Sequence, residues 1–137
     1  MTGILWSNTS ELRLLRDFDL IYLATPYTLY PKGIEQAFTD ACEVTGYLVK
    51  QMLPIFSPIV HSHPVALESG IEPRDGDFWL LAQFPFMKAC TCLLVAEMDG
   101  WAVSRGVGEE MKTFTAMNKP IYHLSLKGFP YGKSHTY

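Results

Sequence analysis

The sequence predicts a single-domain, three-layer α/β/α fold, flavodoxin-like, with a parallel sheet of four or five strands. Three observations carry that expectation. Two continuous apolar runs, Leu20-Ile21-Tyr22-Leu23-Ala24 and Thr91 to Ala96, lack polar alternation and suit strands covered on both faces. Segments of helical period separate such runs, and that alternation is the mark of βαβ units. The 137 residues, 48% hydrophobic and 18% charged, are enough for one globular core.

The elements follow in order. Residues 1–18 read as an N-terminal elaboration, with Ser10 capping a short amphipathic turn through Leu12, Leu14 and Leu15. The first central strand, Leu20 to Ala24, stops at Thr25-Pro26-Tyr27-Thr28, because Pro26 removes a ladder donor. From Gly33 to Gln51, Ile34, Ala37, Phe38, Ala41, Thr45 and Leu48 form one helical stripe. Pro54-Ile55-Phe56-Ser57 is a short strand ended by Pro58, followed by a loop through His61-Ser62-His63-Pro64 and a helical turn over Val65 to Ser69. A helix between Pro73 and Ala89 begins near Asp75 or Asp77, and Pro85 must kink or restart it. After the Thr91 to Ala96 strand come a polar loop, a helix from about Gly106 to Met117, and a last strand over Pro120 to Leu124. The folded domain is expected over residues 19–125. Residues 126–137 form a tail without periodicity.

Charge and composition exclude several partners. The net charge is −3 and no Lys/Arg cluster occurs, so nucleic acid is not the expected partner. No apolar run approaches the roughly 20 residues of a membrane span, and Met1 to Trp6 lacks the cationic start of a signal peptide. Three cysteines, Cys42, Cys90 and Cys92, make no disulfide framework, which fits a reducing, cytoplasmic setting. The spacing of His61-Ser62-His63 and Cys90-Thr91-Cys92 does not suit structural zinc, so neither a metal nor another cofactor is expected. Phe78, Trp79 and the Phe84-Pro85-Phe86-Met87 run supply more apolar surface than a chain of this size hides, which predicts a homo-oligomer.

Three polar loops, Thr25–Thr28, Pro58–Pro64 and Asp99–Ser104, converge on the carboxyl edge of such a sheet, the usual place for a small-molecule site. In the last helix, at about 100° per residue, Val107, Met111, Phe114 and Met117 make the core stripe. Glu110 falls in the same arc and Glu109 on the opposite side. An acid on an apolar face must be paired or functional. A helix N-terminus beside it is expected to keep it ionised. His61 is placed to donate a proton at the site; His63, His123 and His135 have weaker claims. Asp77 either caps its helix or holds a ligand.

Four motifs then occur in order: Ala24-Thr25-Pro26-Tyr27, Phe56-Ser57-Pro58-Ile59-x-His61, Asp77-Phe78-Trp79 and Gly100-Trp101-x-x-Ser104-x-Gly106-Val107. With Gly106-Val107-Gly108-x-Glu110 opening a helix and Asn118-Lys119-Pro120-Ile121 entering a strand, the chain resembles the nucleoside 2-deoxyribosyltransferase and nucleotide N-glycosidase superfamily. It is most similar there to an uncharacterised bacterial and phage group. The resemblance implies cleavage or transfer at the N-glycosidic bond of a nucleoside or nucleotide, with Glu110 as nucleophile. By the same resemblance Tyr22 and Tyr27 line the sugar and orient Glu110, and Trp101 stacks on the base. Ser104 and the amides of Gly106, Val107 and Gly108 bind a hydroxyl or phosphate, with Thr25 in the same turn. Relatives often carry an acid before the third strand. Ala82-Gln83-Phe84-Pro85-Phe86 has none, so Asp77, Asp99 or a histidine has to substitute. The alternative is a non-catalytic nucleotide- or nucleotide-sugar-binding module on the same fold.

Overall fold

The structure, a computed structural model, describes residues 3–132. Five parallel strands form one sheet: β1 (Gly3–Leu5), β2 (Ile21–Ala24), β3 (Ile55–Phe56), β4 (Cys92–Ala96) and β5 (Ile121–Ser125), in the order β1-β5-β4-β2-β3. Five helices connect and cover them: α1 (Thr9–Leu14), α2 (Ile34–Val49), α3 (Pro58–Ser69), α4 (Gly76–Ala89) and α5 (Arg105–Ala116). The fold is the doubly wound, flavodoxin-like α/β class. Among the described residues no helix is long and apolar enough to cross a membrane.

Strand alternation divides the core in two. Ile21 and Leu23, with Leu94, Ala96 and Leu124, face the α2 side, where Ala37, Val44 and Leu48 pack. Tyr22 and Ala24, with Leu93 and Val95, face α4 and α5 through Met87, Val107 and Phe114. Every residue of β2 and β4 is buried, as strands covered on both faces require. Register places Tyr22 beside Leu93 and Leu94 beside Tyr122.

The N-terminal segment departs from expectation, for it supplies an edge strand, β1, paired with β5 through Ile4 and Leu124. Its helix is capped by Asn8, whose side chain accepts from the Glu11 amide; Ser10 lies inside that helix. Three residues, one of them glycine, are too few to announce a strand by pattern. The C-terminal segment returns to the same edge. The Trp6 indole donates to the Lys127 carbonyl at 2.7 Å, the Tyr47 hydroxyl to the Trp6 carbonyl at 2.8 Å, and the Trp6 ring meets Phe129 edge-on at 5.3 Å. Residues 133–137, which include His135, lie outside the described residues.

The second departure is α3. The expected loop through His61 to Pro64 is helix, because Ser57 caps it by accepting from the Val60 amide and Pro58 occupies its first position. Ser62, His63 and Ala66 turn inward and His61 outward. Pro85 does not break α4. It sits on the exposed side with Leu81, so the carbonyl it leaves unbonded faces water. Asp75, not Asp77, caps that helix, accepting from the Phe78 amide at 3.2 Å. Asn118 takes φ 56°, a left-handed conformation that asparagine tolerates, and sets Lys119 against the end of α4.

Candidate active site

The strand order reverses between β2 and β4, and ligands of open α/β sheets bind beyond the carboxyl ends of strands at such a point. A cavity of about 270 Å³ opens there, at the small end of ligand clefts, roughly 300–1,000 Å³. Thr25 and Tyr27 reach it from the loop after β2, Ile59 and Ser62 from α3, and Arg74 from the link before α4. Trp79, Leu80 and Gln83 come from α4, and Ser104, Arg105, Gly106 and Glu110 from the start of α5.

Glu110 is only 5% exposed. It is buried because it shares the inward stripe of α5 with Val107 and Phe114, which are fixed against β2 and β4. Helix α5 begins at Arg105, capped by Ser104, whose Oγ accepts from the Val107 amide at 3.3 Å. Glu110 therefore stands in the second turn, beyond reach of the charge at the helix N-terminus, which fades within the first. The expected electrostatic support is lost, and burial raises the carboxyl's titration to about 8, against a small opposing pull from the Tyr22 hydroxyl. Burial therefore favours the protonated form of Glu110 in the free protein.

Tyr22 is fully buried and does not line the cavity. Its ring is wedged between Phe56 at 5.7 Å and Phe114 at 5.5 Å. Its hydroxyl lies 3.4 Å from Gln83 Oε1 and bonds the Glu110 carboxyl, so it holds the acid from behind. Burial first, and the Glu110 charge second, push its own ionisation far above the usual tyrosine range. Two neutral polar groups complete the floor. Thr25 Oγ1 and Gln83 Nε2 are buried and make no hydrogen bond among the described residues. Buried polar atoms are almost always bonded, so these two mark places where a ligand's polar groups fit.

Several expected residues stand elsewhere. His61 projects outward, its ring 6.0 Å from Phe56 and 5.8 Å from Phe86, and does not line the cavity. The reason is the helical phase of α3, which presents Ser62 and His63 in its place. Trp101 lies in a turn of 3-10 helix, Trp101–Val103, that sets its ring edge-on against His123 at 5.3 Å, and it does not line the cavity. Asp99 is exposed and its charge bears on Tyr30 and Tyr131, on the α2 side of the sheet. Asp77 stays at the rim, paired with Arg105 at 2.6 Å. Val107 is core, and the Val107 and Gly108 amides are spent on Ser104, which leaves Gly106 as the one glycine of that loop at the cavity. Among the described residues no group of three His, Cys, Asp or Glu side chains forms a metal cage.

Cavity residues that the sequence did not assign to the site are Gln83, Arg74, Arg105, Trp79 and Ser62. Gln83 had a signal, since it shares a stripe with Leu80 and Met87 at i, i+3 and i+7. The lone arginines had none.

The chain is thus a parallel, doubly wound α/β protein with a buried acid in the cavity at its switch point. Residues 19–126 match the model of a family described as a domain of unknown function (DUF1937), and the chain belongs to that family. No curated protein matches the chain.

Proposed function

We propose that this protein cleaves or transfers the N-glycosidic bond of a nucleotide, with Glu110 as the nucleophile. The observation that carries the reading is a single carboxyl, 5% exposed, at the floor of a cavity whose other buried groups are neutral. Its likeness in motif to the nucleoside 2-deoxyribosyltransferase superfamily supplies the reaction type. Thr25 Oγ1 and Gln83 Nε2 suit sugar hydroxyls, while Ile59, Trp79 and Leu80 suit a base. The Glu110 oxygen bonds to the anomeric carbon as the carbon–nitrogen bond breaks, and water or a second base then displaces it. Cationic character developing on the sugar favours the ionised carboxyl that burial resists.

Arg74 and Arg105, both at the cavity and each more than half exposed, favour a monophosphate over a nucleoside. Arg105→Ala is expected to raise KM for monophosphates about tenfold, roughly 1.4 kcal/mol, and to leave nucleosides unchanged. Equal effects on both substrate types, in steady-state assays, would remove the phosphate assignment.

The test of the whole reading is direct. The protein is incubated with deoxynucleoside monophosphates and nucleosides, and free base is measured by chromatography. Release from monophosphates is expected. Binding by calorimetry without release from any member would favour the second reading, a nucleotide- or nucleotide-sugar-binding module, for which a protonated Glu110 donating to its ligand would be the natural state. We also propose that a second copy covers the outer face of α4, where Phe78, Leu81, Phe84 and Phe86 are 40–79% exposed. Sedimentation is expected to give at least a dimer; a monomer at micromolar concentration overturns that.

A further inference from the structure

We propose that Glu35, His63 and Tyr27 form a proton relay from solvent into the cavity, and that it protonates the departing base. This rests on the glycosidic reading above. It answers a shortage that the cavity itself presents, since Glu110 is committed to the sugar and, among the described residues, no second carboxyl lines the cleft.

The relay is defined by geometry. His63 lies on the inward face of α3 with a side chain 2% exposed, so it does not itself reach solvent. Its Nδ1 is 2.6 Å from the Tyr27 hydroxyl oxygen, and its Nε2 is 3.4 Å from Glu35 Oε2. Phe38 stacks on the ring at 4.5 Å and 22°, and Tyr27 meets it edge-on at 5.7 Å, which fixes the ring plane between the two partners. Glu35, on α2, has a side chain 74% exposed, while Tyr27 lines the cavity. The three groups thus connect bulk water to the cleft, passing between α2 and α3.

The protonation states follow from donor counting. When His63 is neutral, Nε2–H points at Glu35 and Nδ1 accepts the Tyr27 proton, so the tyrosine offers the cavity only lone pairs. When His63 carries a second proton, Nδ1–H donates to the Tyr27 oxygen, and the Tyr27 O–H is freed to donate into the cavity. The charges facing this pair are Glu35 from α2 and Glu72 and Arg74 from the link before α4. Burial, then the Glu35 charge, push the Tyr27 hydroxyl up to about 12, against Arg74, so the tyrosine is a poor acid alone. With an imidazolium behind it, it need never become an anion.

The step balances. A Glu110 carboxylate oxygen bonds to the anomeric carbon, the carbon–nitrogen bond breaks, and its electron pair stays on the base nitrogen. That nitrogen takes the Tyr27 proton as Tyr27 takes the Nδ1 proton of His63, leaving neutral base, neutral tyrosine and neutral histidine. When water displaces Glu110, its proton returns along the same path, and His63 is again cationic.

The experiment compares two leaving groups on the intact protein. One substrate is 2′-deoxyguanosine 5′-monophosphate, whose base must be protonated to leave. The other is its 7-methyl derivative, whose base is already cationic and leaves without a proton. Tyr27→Phe and His63→Asn are expected to lower kcat about a hundredfold on the first, with KM unchanged, and to stay within about threefold of wild type on the second. Glu35→Gln, a surface change that leaves folding intact, should lower kcat about tenfold on the first substrate alone. Equal losses on both substrates overturn the relay and leave the glycosidic reading standing. Wild-type protein that releases base from neither overturns both. Nitrogen-15 NMR gives a check independent of turnover: neutral His63 is expected as the Nε2–H tautomer, and an Nδ1–H tautomer contradicts the relay.

Discussion

Glu110→Gln is expected to abolish base release and, at alkaline pH, to make the folded protein more stable. The amide fills the space of the acid beside Tyr22 but offers no anion, so kcat/KM should fall roughly 10⁴-fold or more, as when other enzymes lose a nucleophile. The stability change has the opposite sign because the acid costs the native state its charge. Unfolded, Glu110 loses its proton near an ordinary glutamate value; folded, it holds the proton to about 8. Between those values the native state binds more protons, so stability falls as pH rises, by up to about 1.4 kcal/mol per pH unit, and levels off above 8. Glu110→Gln removes that slope. Its advantage over wild type should be absent near pH 4 and reach a few kcal/mol at pH 8–9 in denaturant titrations. Activity retained within tenfold, or stability profiles that run parallel from pH 4 to 9, would contradict the role given to this side chain. On the 7-methyl substrate, whose base needs no proton, the same titration predicts that wild-type kcat/KM climbs with pH until about 8, since the carboxylate is the reactive form.

Lys119→Met is expected to destabilise the fold by about 3 kcal/mol, although Lys119 touches no part of the cavity. Its ammonium donates to three carbonyls at the end of α4: Lys88 and Cys90 at 2.7 Å and Met87 at 3.1 Å. The last carbonyls of a helix have no partners within it, and the end of its dipole is negative, so one cation serves both needs. Methionine keeps the aliphatic stem and removes only the donors. At roughly 2–4 °C per kcal/mol, the thermal midpoint should drop by about 10 °C. A loss under about 0.5 kcal/mol, the level of an ordinary surface change, would show that water replaces the ammonium without penalty.

The central architecture was legible because β2 and β4 are buried on both faces and carry unbroken apolar runs, while α2 and α5 have strong stripes. The inward turn of Glu110 came from the same periodicity. What periodicity could not reach was decided by single local contacts. The Ser57 and Pro58 pair starts α3 three residues ahead of His61, and that shift in phase exchanges His61 for His63 at the interior. Ser57 and Pro58 carry a helix-start signal, while the segment from His61 to Pro64 shows no apolar stripe to extend it. A tight turn after Gly100, at φ 83°, swings Trp101 onto His123 and leaves Asp99 on the far side; no pattern in six residues foretells it. The expected ionisation of Glu110 rested on placing it in the first turn of its helix; the helix starts at Arg105, the acid lies in the second turn, and burial outweighs the helix charge there.

The short strand β1 sets a limit on how the chain can be divided. It borders β5 on the side away from β4, and Trp6 just after it is tied to the carbonyls and rings of residues 125–129. The matched stretch, residues 19–126, begins after that strand and stops short of Phe129. Cut to those bounds, the polypeptide would keep every group around the cavity yet offer the backbone of β5 as a bare ribbon, open to any passing chain. The boundary of what relatives share is thus not the boundary of what closes the sheet.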